Sequence, residues 1–150
     1  MPTAADALVR KAKRDHNAGE ILVISPDLTV LDAAKVMNAR RVGALPVLAA
    51  PGSLVGMFSE RDVLTRVVAS EKAPEATLVR DVMTSPVFAC APVTPIAEIR
   101  SIMSEKRIRH MPIVDGDELV GMLSMGDLLA EETHVMTQTI SYLQQYMYAG

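Results

Sequence analysis

The chain has 150 residues, 49% of them apolar, a net charge of −3 and a pI near 5.6. That is enough for one compact domain with a full core, and the slight acidity excludes a general nucleic-acid footprint. The single cysteine, Cys90, excludes an internal disulfide and a thiolate metal cluster, while His16, His110 and His134 lack zinc spacing.

Residues 3–14 predict a helix, with Thr3 as N-cap and Asp6 at the capping-box position. Its Arg10, Lys11, Lys13 and Arg14 read as a solvated basic face. The start lacks the apolar segment of a secretory signal, and Asp6 and Asp15 oppose a transit peptide. No apolar run reaches the ~18 residues of a membrane span. A soluble, cytoplasmic protein is expected, without membrane or nucleic-acid partners.

From residue 21 the chain is written twice. Residues 21–48, ILVISPDLTVLDAAKVMNARRVGALPVL, align without gaps on 87–114, VFACAPVTPIAEIRSIMSEKRIRHMPIV. Pro26 meets Pro92, Met37 meets Met103, Arg41 meets Arg107 and Pro46 meets Pro112. One residue dropped from the loop then lays LVGMFSERDVL on LVGMLSMGDLL. Repeats of this kind mark a duplicated supersecondary unit.

Each copy has one grammar. A short apolar segment (21–24; 87–90) ends at a proline, and an amphipathic helix follows near 28–41 and 94–107. A strand then carries Pro46 or Pro112, which is expected at a strand start or edge because proline donates no ladder bond. The turns APGS and DGDE lead to a second strand and to a helix opened by Ser59 or Ser124. The reading is an α/β (α+β) fold of tandem β-α-β-β-α units, packed as a pseudo-twofold pair with a shared core. A unit of this size is marginal alone. The expected divisions are an N-terminal helix over 1–16, a first repeat over 17–71, a linker and second repeat over 72–130, and a helical tail over 131–150. Val135, Met136, Ile140, Leu143 and Met147 make the tail a candidate partner surface.

Phosphate-loop, dinucleotide-fingerprint, zinc-protease and nucleophile-elbow motifs are all missing, so no catalytic residue and no metal site is assigned. Cys90 reads as a buried structural thiol, and the ten methionines read as core filling. Chemistry gathers instead at the two Ser-x-x-Asp junctions, Ser59–Asp62 and Ser124–Asp127. Such a sequence is first a helix cap. A helix start is also a place for an anion, and a carboxylate suits the paired hydroxyls of a ribose. The copies differ: Arg61 lies inside the first junction, where the second has Met125-Gly126. Arg109 and His110 precede the second repeat's strand, where the first has Gly43-Ala44.

The strings DVMTSPV, RHMPIVD, LVGMFSERDVL and LVGMLSMGDLL resemble a CBS-domain pair, or Bateman module, over about residues 17–130. The resemblance implies a regulatory module binding AMP, ADP, ATP, S-adenosylmethionine or NAD(H) in clefts between the repeats. It places ribose-gripping aspartates at Asp62 and Asp127, their serines at Ser59 and Ser124, phosphate-facing residues at Arg109 and His110, and a ligand-approaching position at Thr84. Ala18 is the sequence counterpart of Thr84. One phosphate-bearing site combining Ser59, Arg61 and Asp62 with Arg109 and His110 is favoured, with two clefts of unequal affinity. The adenine nucleotide is a regulatory ligand rather than a catalytic cofactor. A stand-alone pair forming a homodimer and modulating an unknown protein is expected, the competing reading being a ligand-free dimerisation scaffold. Turnover of a bound dinucleotide is disfavoured by the missing catalytic residues.

Overall fold

A computed structural model describes residues 1–14, 21–50 and 52–148, with Tyr148 by its backbone alone. The chain forms two compact units, one of Glu20–Ala89 with Gly116–Leu119, the other of Met1–Gly19, Cys90–Asp115 and Val120–Gly150.

In the unit built on the first repeat, the opening segment pairs through one parallel bridge, Ile24 with Val47. Helix α2 (Val30–Arg40), second in the chain after the N-terminal α1 (Ala4–Arg14), starts where the Thr29 hydroxyl accepts the Asp32 amide at 3.2 Å. Val30, Ala33 and Met37 form its buried face at helical spacing. It ends at Arg41, held in the left-handed region (φ 54), with the Val42 amide donating back to the Met37 carbonyl at 3.1 Å. Strands β1 (Ala44–Ala49) and β2 (Ser53–Ser59) form an antiparallel hairpin. Then come α3 (Glu60–Asp62), a π-helical stretch (Val63–Val68) and α4 (Val79–Val82). Ile24, Val30, Ala33, Leu45, Val47, Phe58, Val67 and Val79 belong to this unit's core.

The other unit repeats the plan. Cys90 bridges to Ile113, α5 (Ile96–Lys106) ends at a left-handed Arg107 (φ 55), and β3 (His110–Asp115) pairs with β4 (Glu118–Ser124). Helix α6 (Met125–Tyr148) follows directly. The N-terminal helix α1 (Ala4–Arg14) belongs here, and its Thr3–Asp6 capping box forms as the sequence predicts. Ala4, Ala7, Ile99, Met103, Met111, Ile113, Leu123 and Leu128 lie in a second core cluster. Each unit thus has a buried cluster of its own.

The prolines and the segment between the repeats each have a structural role. First, Pro46 and Pro112 are each the third residue of an edge strand in a two-stranded sheet, within the expected start-or-edge placement. They are tolerated because their carbonyls accept the Ile24 and Cys90 amides at 3.1 and 3.0 Å. The donor that each proline lacks would face the residue two places earlier in the parallel segment, which limits that pairing to one bridge. Second, residues 78–84 do more than connect the repeats. Leu78 bridges to Thr29, and Thr84 exchanges both backbone hydrogen bonds with Met57 at 2.8 and 2.9 Å. In the other unit α1 takes this place. Ala4, Ala5 and Ile96 amides donate to Thr94, Pro92 and Pro2, as Val79, Arg80 and Val30 amides donate to Leu28, Pro26 and Thr77. In that register Leu8 matches Met83 and Val9 matches Thr84.

The register also explains two glycines. A Cβ at Gly56 would collide with the Met83 side chain and lie 3.1 Å from the Thr84 carbonyl, and one at Gly121 would collide with Leu8. Hairpin and packing helix approach closely in each unit because neither glycine has a side chain.

Candidate functional site

Ser59 closes β2 and caps α3. Its amide donates to Asp62 Oδ2 at 2.9 Å, its hydroxyl lies 3.1 Å from the same oxygen, and the Asp62 amide returns to Ser59 Oγ at 3.3 Å. Asp62 is 4% exposed. Its other oxygen, Oδ1, accepts the Thr84 hydroxyl at 2.9 Å and has Arg66 Nε at 3.8 Å. The structure thus brings Ser59, Asp62 and Thr84 together, and adds Arg66, one helical turn past Asp62 in the sequence. Arg66 also donates to the Met83 carbonyl at 2.8 Å. Arg61 is exposed, as its place on the outer side of this short turn requires.

The second junction has the same cap and a different neighbourhood. The Ser124 amide donates to Asp127 Oδ2 at 2.8 Å, and the Asp127 amide to Ser124 Oγ at 3.1 Å. Lys11 Nζ stands 2.9 Å from Asp127 Oδ2, and Arg14 Nη2 stands 3.2 Å from Oδ1. Lys11 also donates to the Met122 carbonyl at 2.7 Å. Arg10 lies 2.9 Å from a carboxylate oxygen of Glu131, which is buried. The basic run of α1 is therefore not a solvated face: three of its four cations engage carboxylates of α6. Burial pushes the Asp127 carboxyl up, but the Ser124 amide and Lys11 outweigh it, and the group titrates below its ordinary value.

The expected anion cradle at each helix start is largely committed. The Ser59, Glu60 and Asp62 amides donate to Asp62, Gly43 and Ser59; the Ser124, Met125 and Asp127 amides donate to Asp127, Arg109 and Ser124. A phosphate would have to be met by basic side chains. Arg109 is exposed and His110 half-buried at the start of β3. Arg61 and Arg109 belong to different units. Ala18 and His16 lie outside the described residues. By backbone register the counterpart of Thr84 is Val9, which carries no hydroxyl.

Cys90 is buried, and its thiol is pushed up by burial and by the Glu98 charge, as suits a structural residue. Among the described residues, no group of three or more His, Cys, Asp or Glu side chains could hold a metal ion. Among the described residues, no helix is long and apolar enough to cross a membrane.

The chain matches the model of the CBS domain over residues 16–69 and 79–133. It is 32% identical to a mitochondrial CBS domain-containing protein of Arabidopsis thaliana, over 95% of this chain and 71% of that one. A solved structure of a putative signal-transduction protein with CBS domains from Burkholderia ambifaria is 32% identical, with a TM-score of 0.79 covering 87% of this chain and 93% of that one. A structure of CBSX2 in complex with AMP, 24% identical, shares the fold with a TM-score of 0.68 over 77% of this chain and 90% of that one.

Proposed function

We propose that this chain, which belongs to the CBS-domain family and carries two CBS repeats, senses an adenosine-containing nucleotide through Asp62 and transmits its presence to a partner protein. The role is that of a regulatory module and not of an enzyme. The observation that carries the ligand reading is the buried Asp62 carboxylate. One oxygen is fixed by the Ser59 cap, while the other accepts a hydroxyl, that of Thr84, at 2.9 Å. A hydroxyl is what a ribose brings, so the sugar would replace or join a bond of the same kind. Ser59 holds the carboxylate in orientation, and Thr84, an exposed residue, is the donor that yields. Arg61, Arg109 and His110 are assigned to phosphate, since the helix-start amides are already engaged.

AMP, ADP, ATP, S-adenosylmethionine and NADH form the test panel, AMP being the ligand in the fold neighbour's complex. A ligand at 100 times its Kd stabilises by about 2.7 kcal/mol, a readily measured rise in Tm. At least one member should raise Tm at millimolar concentration. No shift across the panel would contradict the sensor reading and favour the second one, a ligand-free dimerisation scaffold. That alternative has its own support: Met136, Ile140, Leu143 and Met147 on α6 are all more than half exposed. A homodimer through this tail belongs to both readings. Arg109→Ala should weaken ATP binding more than adenosine binding; an equal effect on both would remove Arg109 from the phosphate role.

A further inference from the structure

We propose that α1 fills the second Ser-x-x-Asp junction with its own cations, so that Lys11 and Arg14 decide which of the two copies takes a nucleotide. The inference rests on the ligand reading above and adds an occupant to the copy that reading leaves aside.

The two junctions share a cap and differ in what meets the aspartate. At Asp62 the oxygen turned from the cap accepts a neutral hydroxyl, and the nearest guanidinium nitrogen is 3.8 Å away. At Asp127 both oxygens are held by cations, Lys11 at 2.9 Å on Oδ2 and Arg14 at 3.2 Å on Oδ1. The cause lies in the length of the packing helix. Segment 78–84 and α1 begin in the same backbone register, but α4 has 4 residues and α1 has 11. The added turns carry Lys11 and Arg14, three residues apart and so on one helical face. The position that offers a hydroxyl at Thr84 offers only the alkyl group of Val9.

These contacts are anchored from several sides. Lys11 is fixed by the Met122 carbonyl at 2.7 Å, and Arg10 by the buried Glu131 at 2.9 Å. Leu8 occupies the space above Gly121, and Ala4 and Ala7 lie in the core. A ribose arriving at Asp127 would replace two cations with uncharged hydroxyl donors, giving up the ion-pair attraction and leaving Lys11 and Arg14 without this carboxylate. It would also compete against a tethered rival present at high effective concentration. At Asp62 the tethered groups are weaker rivals, the neutral Thr84 hydroxyl at 2.9 Å and Arg66 Nε at 3.8 Å, against two close cations at Asp127. A ligand that did bind at Asp127 would free the basic end of α1, and by linkage any partner holding that end would favour the ligand in return.

Isothermal titration with ATP, a probe carrying ribose and phosphate, tests this. The full chain should bind one ATP, and the Lys11→Gln/Arg14→Gln variant two. The added site should vanish when Asp127→Ala is introduced into that variant. Should the double variant lose its fold by circular dichroism, Arg14→Gln alone, at a side chain 42% exposed, should still reveal a weak second site. Two ATP molecules on the unaltered chain, or one on a folded double variant, would overturn the proposal while leaving the ligand reading intact. No binding by any of these proteins would overturn both.

Discussion

At the residue scale, two aspartates that look equivalent in the sequence meet different side chains. The repeated Ser-x-x-Asp string correctly announced both caps, because the cap is a local contact over three residues. What meets the far side of each carboxylate was not legible. Thr84 is 22 residues from Asp62 in sequence and Lys11 is 116 from Asp127, and only the packing of separate segments brings them close. The glycines that open both motifs were visible as repeats but not as the reason the hairpin and helix touch. They predict an asymmetry. Gly56→Ala presses on a backbone carbonyl, that of Thr84, and should destabilise by about 1–3 kcal/mol. Gly121→Ala first meets the Leu8 side chain, which can change rotamer where a backbone carbonyl cannot, and should destabilise less. Urea unfolding of the two variants compares them; equal losses would contradict this account of the close approach.

At the element scale, the periodic segments were read well: the helices expected over 28–41 and 94–107 are Val30–Arg40 and Ile96–Lys106. Their apolar spacing decides their place, and packing only trims the ends. The opening strands shrank to single bridges because of Pro46 and Pro112, a consequence of which strand each proline would have donated to. The role of α1 was misread, since a run of cations looks the same whether it faces water or carboxylates. Arg10→Ala would leave the buried Glu131 carboxylate without its cation and should destabilise by about 1–3 kcal/mol, read by chemical denaturation. Acid should act on the neighbouring pair. A carboxyl depressed below its ordinary value, as Asp127 is, contributes stability in full above the unfolded pKa near 4, and loses it as the pH falls through the folded one. The stability gap between the unaltered chain and Lys11→Gln should therefore be present at neutral pH and close in strong acid. A gap that persists undiminished would argue against a charge-based contact.

At the scale of the whole molecule, the duplication makes two units, and each completes its fold with a helical segment from outside its own repeat. The first takes residues 78–84 and the second takes α1, so cutting the chain into its two repeats by sequence would separate each hairpin from the helix that covers it. The family could be recognised from the repeated strings alone, whereas the units' composition required the backbone hydrogen bonds. Beyond Glu132 the chain has no Asp, Glu, Lys or Arg, and α6 continues with Met136, Ile140, Leu143 and Met147 exposed. If that surface joins two copies, light scattering should give a dimer mass that falls to the monomer in Leu143→Lys; a dimer that survives the lysine places the interface elsewhere. The regulatory reading itself depends on Asp62. The most direct measurement is a calorimetric titration of AMP and ATP into the intact chain and into Asp62→Ala, with circular dichroism to establish that both are folded. Saturable binding to the intact chain, lost by at least tenfold in the variant, is the result this account predicts. Undiminished binding to folded Asp62→Ala would contradict it.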